Sequence, residues 1–158
     1  MGGATHTYRA VLAWEGTTAV GYDQYDRRHR LVSPPAEAEL HLASDPAFRG
    51  DPSLLNPEQL LVAAASSCQL LSFLAVAARA RLDVVSYLDE ADAHMPEDDL
   101  PVRITHIELH PAVVLADTDR SRPDDSRLHH LTEVAHRECF IANSLRTEVT
   151  IHPTFSWR

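Results

Sequence analysis

The chain contains no lysine: its 14 basic residues are all arginine. That absence removes Schiff-base and lysine-nucleophile mechanisms, because both need an ε-amine. Positive charge is scarce altogether, with 23 acidic residues and a formal net charge of −9. Such a field repels phosphate backbones and anionic lipid, so neither nucleic acid nor a membrane is an expected partner. Cysteine occurs only twice, at Cys68 and Cys139, too few for a disulfide framework. Met1 to Trp14 has no continuous apolar run behind a basic start, so export is not expected and the cytoplasm is the expected compartment. There the thiols should be reduced, or should form a transient catalytic disulfide. Long uninterrupted apolar runs are missing too. The most apolar stretch, Leu60 to Ala80, is broken by Ser66, Ser67, Gln69, Ser72 and Arg79, a poor bilayer span and a better buried helix.

What is present suits an ordinary globular chain. The 158 residues, 44% of them hydrophobic, are enough for one core, so a single domain over 1–158 is expected. Alternation predicts strands at His6 to Trp14, Thr18 to Tyr22 and Ala36 to Leu42, with polar Asp23 to Arg30 as a loop or exposed edge. Ser44 to Leu55 is punctuated by Asp45-Pro46, Gly50 and Asp51-Pro52 and reads as a loop. Asn56-Pro57-Glu58-Gln59 is a helix start: Asn caps the first amides, Pro suits the first helical position and Gln can bond back. The helix should run to about Arg81. Strands are predicted at Leu82 to Ala93 and Pro101 to Leu115. The second changes apolar parity between Ile104 and Ile107, which predicts a bulge or a shifted register. A loop over Ala116 to Asp125, a second helix from Ser126 to Phe140 and a final strand from Leu145 to Phe155 complete an α+β chain with mainly antiparallel pairing and two main helices.

The long helix is apolar or small nearly all round, which is expected only where protein covers most of its sides. In a chain this short, that points to a second subunit. Cys68 lies at the helix centre and Cys139 in the second helix, so two thiols can converge. A peroxidase of this kind needs one thiolate to attack the O–O bond and a second thiol to condense with the resulting sulfenic acid. A free thiol is mostly protonated at neutral pH and needs a cation beside it. With lysine absent, the densest source is Arg27-Arg28-His29-Arg30, and an arginine fork can grip a carboxylate while facing a thiolate. Glu58 is a candidate for that carboxylate, although a first-turn glutamate is also explained by the helix dipole. Ten residues separate it from Cys68, roughly 15 Å along a helix. They meet only if the helix breaks or if two copies of it cross about a two-fold axis. Metal ligation by His129, His136 and Cys139 is a rival use of the second helix.

Asn56 to Cys68, reading NPEQLLVAAASSC, resembles the signature of the OsmC/Ohr family, the osmotically inducible and organic hydroperoxide resistance proteins. Asp45 to Asp51 (DPAFRGD) and Ala135 to Ser144 (AHRECFIANS) resemble flanking motifs of an OsmC-like branch. The resemblance implies an OsmC-like fold and an intertwined homodimer with central helices packed at the interface. It implies that Cys68 attacks, that Cys139 resolves, and that an arginine held by Glu58 activates the thiol. Arg27, in Tyr25-Asp26-Arg27-Arg28-His29, fits that arginine, with Arg28 adjacent. The implied activity is thiol-dependent reduction of organic and inorganic hydroperoxides, with an external dithiol, lipoyl-type or small, as reductant. No metal, flavin or haem is required. The alternative is a dimer of the same fold that binds an apolar ligand without turnover.

Overall fold

A computed structural model describes residues 3–117 and 122–158. Part of the predicted Ala116 to Asp125 loop, 118–121, lies outside the described residues, as do the first two residues of the N-terminal stretch. The chain groups into two compact units, Met1–Leu60 and Leu61–Arg158.

The first unit is built on a three-stranded antiparallel sheet of β1 (Val11–Ala13), β2 (His29–Val32) and β3 (Glu39–Leu42), with β2 in the centre. The predicted strand at His6 to Trp14 shortens to β1. The strand predicted at Thr18 to Tyr22 is instead a turn. Gly21 adopts φ +92°, and its amide and carbonyl bond locally to Thr18 O at 3.0 Å and the Gln24 amide at 3.1 Å, which spends the groups a ladder would need. The second strand lies later, and its first half, His29-Arg30, comes from the segment read as a loop or exposed edge, yet it is the central strand. Arg30 is accommodated there because its side chain remains half in solvent and pairs with Glu39 across the ladder at 3.0 Å.

Beyond β3, Asp45 caps a short 3-10 turn, Pro46–Phe48. Arg49 follows with φ 65°. A Cβ at Gly50 would fall on the Ser44 carbonyl, so only glycine lets the loop close. Asp45 then reaches Asn56: the Asn56 side-chain Nδ2 donates to its carboxylate at 3.2 Å. Asn56 and Gln59 complete a reciprocal cap, with the Gln59 amide donating to Asn56 Oδ1 at 2.8 Å and the Asn56 amide to Gln59 Oε1 at 3.1 Å. The helix start read from the sequence is therefore made as expected, and α1 runs from Pro57 to Arg79.

In the second unit, strands that the sequence reads as long are each divided between two small sheets. Leu82 to Ala93 becomes β4 (Val84–Asp89) and β5 (Asp92–His94). Pro101 to Leu115 becomes β6 (His106–Leu109) and β7 (Pro111–Leu115), and the final strand becomes β8 (Glu148–Ile151) and β9 (Thr154–Trp157). The sheet orders are β4-β7-β9 and β5-β6-β8. Pairings β4·β7 and β5·β6 are antiparallel, β6·β8 and β7·β9 parallel. The parity change near Ile104 marks the beginning of β6 and not a bulge. Ile104 precedes the strand, whereas Ile107, Leu109, Pro111, Val113 and Leu115 keep one buried parity through both β6 and β7. The register irregularity occurs in β4, between Val84 and Ser86.

Helix α2 spans Asp125–Glu138 under an Asp124 cap, two residues shorter at its end than predicted. Cys139 breaks it with extended ψ 109° and opens the short α3, Phe140–Ser144. Phe73, Val76 and Ala77 of α1 pack with Val113, Leu115, Leu128 and Ala135 in one core cluster. Ala65 joins Ile104, Ile107 and Leu109 in another. The opposite side of α1 leaves Leu71 64% and Leu74 37% exposed within one chain. By length and composition alone α1 could cross a bilayer, but its Ala65–Phe73–Val76 side is committed to these protein cores. Asn56→Ala removes the cap and the link to Asp45 together. It should cost about 1–2 kcal/mol, read as a lower urea midpoint with an unchanged slope.

Candidate active site

Helix α1 delivers Cys68 half-buried at mid-length, and the α2–α3 break delivers Cys139, 1% exposed. The break matters because a continuous helix would keep the amides after Cys139 bonded to carbonyls one turn back. Here the Ile141 amide donates to Cys68 Sγ at 3.4 Å and the Ala142 amide to Cys139 Sγ at 3.5 Å. The Ile141 amide that reaches Cys68 also acts on Cys139, so the two sulfurs flank the same turn. Both are free. The two sulfurs whose convergence the sequence suggests are thus neighbours.

They are not equivalent. Burial, with the neighbouring Cys68 side chain second, pushes the Cys139 thiol up to about 11, against the opposing pull of the Ala142 amide. At neutral pH Cys139 is therefore a neutral thiol, unsuited to first attack. Cys68 retains a solvent-facing side.

Around the pair lie groups the sequence did not single out. Ser66, half a turn before Cys68, donates a short hydrogen bond to Asp89 of β4, whose other oxygen accepts from the His110 amide at 2.7 Å. Tyr87, two residues before Asp89, packs on Phe73 with centroids 6.0 Å apart. Its phenol is raised above the ordinary range by burial first, then by Asp89 and Cys139. Gln69 is buried beside Cys68. Gln69 was visible in sequence as a polar residue inside an apolar helix; Tyr87 gave no such signal.

Arg27 and Glu58 belong to the first unit. Arg27 donates to the carbonyls of Tyr22 at 2.6 Å and Tyr25 at 3.0 Å, and its guanidinium lies 3.9 Å from the centroid of the Tyr25 ring. It forms one wall of a recess of about 460 Å³ whose other side chains include Trp14, Tyr22 and Phe48. Arg28 is instead bound to Asp26 at 3.0 Å, an ion pair that lowers the Asp26 carboxyl. Of the two adjacent arginines, Arg27 is the one that faces an apolar recess. Glu58 occupies the first turn of α1 and is half-buried.

His129 and His136 line a separate recess of about 510 Å³ against β8 and the Pro153 turn. Burial lowers the His136 imidazole below its ordinary value. Among the described residues no three His, Cys, Asp or Glu side chains are placed to hold a metal ion.

The model of the family described as OsmC-like protein matches residues 50–154. The chain belongs to that family. An OsmC-like protein of unknown function from Vibrio cholerae superposes with TM-score 0.84 at 29% identity, over 95% of this chain and 100% of that one. An organic hydroperoxide resistance protein from Elizabethkingia anophelis gives 0.69 at 18% identity, covering 98% and 99%. One from Legionella pneumophila, also described as a predicted redox protein, gives 0.62 at 18%, again covering 98% and 99%. The last two establish shared fold. No curated protein matches the chain. The α+β architecture is thus the OsmC-like fold, in a family that includes proteins of hydroperoxide resistance.

The inequality between the sulfurs has a direct consequence. In Cys68→Ala, the remaining Cys139 should react with iodoacetamide at pH 7.5 at least about tenfold more slowly than a free thiol of pKa about 8.5. Its rate should still be climbing above pH 9, checked by mass spectrometry at timed quenches.

Proposed function

We propose that this OsmC-family chain is a cysteine-based hydroperoxide reductase in which Cys68 attacks and Cys139 resolves. The observation that carries the reading is the convergence of a half-exposed thiol and a buried, neutral one on a single turn. Cys68 thiolate takes the distal oxygen of R–OOH. The O–O bond breaks, the alkoxide leaves with a proton as alcohol, and Cys68 becomes a sulfenic acid. The Cys139 sulfur then displaces that hydroxyl, forming the Cys68–Cys139 disulfide and water. An external dithiol, lipoyl-type or small, returns both thiols by exchange. The chemistry fits a reducing compartment such as the cytoplasm, which keeps such pairs reduced between turnovers.

In this reading the active unit is a homodimer. Support comes from the exposed apolar side of α1, Leu71 and Leu74 among it, and from the helical distance between Glu58 and Cys68, which one straight helix cannot close. Glu58 of one subunit then orients Arg27 toward a Cys68 thiolate, whose charge the guanidinium stabilises. The aromatic walls around Arg27 favour an organic hydroperoxide over a small inorganic one. They also favour the second reading, in which the recess holds an apolar ligand and the thiols do not turn over.

Stoichiometric cumene hydroperoxide separates the two. The peroxidase loses both thiols rapidly. Cys68→Ser loses none and has no turnover above background. Cys139→Ser consumes one equivalent and stops as a dimedone-reactive sulfenic acid. Wild-type protein that keeps both thiols under these conditions would refute the enzyme and leave the binding protein.

A further inference from the structure

Three of the four buried side-chain polar atoms without a hydrogen-bond partner among the described residues are Gln69 Nε2, Gln69 Oε1 and Tyr87 Oη; the fourth, His136 Nδ1, belongs to the wall of the 510 Å³ recess. Buried polar groups are nearly always satisfied by protein or by water. A second copy of the chain cannot satisfy Gln69, which is already 1% exposed within one chain.

The packing of α1 on β4 brings these atoms into one stretch of interior. Ser66 bonds to Asp89 at one end and Phe73 rests on Tyr87 at the other. Gln69 is three residues after Ser66 and four before Phe73, so all three share a helix face. Tyr87 and Asp89 are alternate residues of β4 and share a strand face. The amide and the phenol therefore enter the same space from opposite elements, and Cys68 is the residue immediately before Gln69. Cys139 borders it as well, close enough to Tyr87 to act on its phenol. Interior water occupies such places when several polar partners converge on a space that apolar atoms cannot fill.

We infer that Gln69 and Tyr87 hold an interior water beside the Cys68–Cys139 pair and that this water carries the Cys139 proton as the disulfide closes. The second half rests on the peroxidase reading; the water site itself does not. The closing step balances as Cys68–SOH plus Cys139–SH giving Cys68–S–S–Cys139 plus water. The proton leaves the Cys139 sulfur and arrives on the departing hydroxyl oxygen, while the sulfur electron pair forms the S–S bond. A buried neutral thiol needs such a carrier, because its thiolate is otherwise too rare to react. Gln69 and Tyr87 are positioning residues here, acting through the water.

The test combines a high-resolution crystal structure of the reduced protein with the variants Tyr87→Phe and Gln69→Met, both close in shape to the native side chains. Ordered density bonded to the Gln69 amide and Tyr87 hydroxyl is expected, and both variants should melt below wild type because each loses a satisfied hydrogen bond. A dry interior would overturn the site. So would a higher Tm in both variants, since removing an orphaned polar group stabilises. After one equivalent of cumene hydroperoxide, dimedone-trappable sulfenic acid should form at the wild-type rate in both. Its conversion to disulfide should slow about tenfold, a modest share of what positioned proton transfer contributes. Unchanged closure overturns the proton role. Absence of any sulfenic acid in wild type would strike the peroxidase reading and the proton role with it, while the density and the melting shifts would still decide the water site.

Discussion

The structure depends on one interruption: α2 stops at Glu138, and Cys139 turns the chain into α3. Had the helix continued, the amides of Ile141 and Ala142 would have been consumed by backbone carbonyls. Instead they point at sulfur, and a buried thiol is set against the midpoint of α1. The pairing is held from several directions. Leu128 and Ala135 anchor α2 in the core that contains Phe73 and Val76 of α1, and Ile141 packs with the cluster around Ala65 and Ile107. The approach of the two sulfurs is therefore maintained by packing spread over three helices and two sheets, which fixes position better than a loop would.

In the proposed reductase the same arrangement divides labour between the thiols. Burial suppresses ionisation of Cys139, so selectivity for the first attack does not require that the two sulfurs differ in chemistry, only in surroundings. A resolving thiol that stays neutral until its partner is oxidised is also protected from direct overoxidation, because the thiolate is the species that climbs the oxidation ladder. The cost is that its proton must be removed at the moment of closure, and the unpartnered polar groups of the interior lie at that place.

Much of this was legible in the sequence, and the reasons are local. The Asn56–Gln59 cap could be read because it is made between residues three apart. The α1 helix could be read because its length and composition leave no other conformation. The strands misled where local pattern and tertiary pairing part company. Thr18 to Tyr22 reads like a strand, yet Gly21 turns it. Arg30 sits in a sheet because Glu39 lies diagonally across the ladder, a partner invisible to a window of neighbours. Division of the long strands at Glu90-Ala91, His110 and His152-Pro153 depends on which sheet each half joins, and no periodicity records that. Of the candidate site residues, the convergence of Cys68 and Cys139 required a chain reversal of about seventy residues that motif spacing could suggest only through resemblance. Tyr87 was unreadable, since an alternating strand tyrosine is ordinary core until its hydroxyl is found without a partner.

The central claim is that oxidation joins these two sulfurs within a single chain. Peptide mapping of protein treated with one equivalent of hydroperoxide and quenched with an alkylating agent tests it most directly. The account predicts a cross-linked peptide pair containing Cys68 and Cys139, which runs as a monomer on a non-reducing gel and disappears on dithiol treatment. A disulfide joining separate chains, or Cys68 driven to sulfinic acid while Cys139 is recovered alkylated, would contradict it.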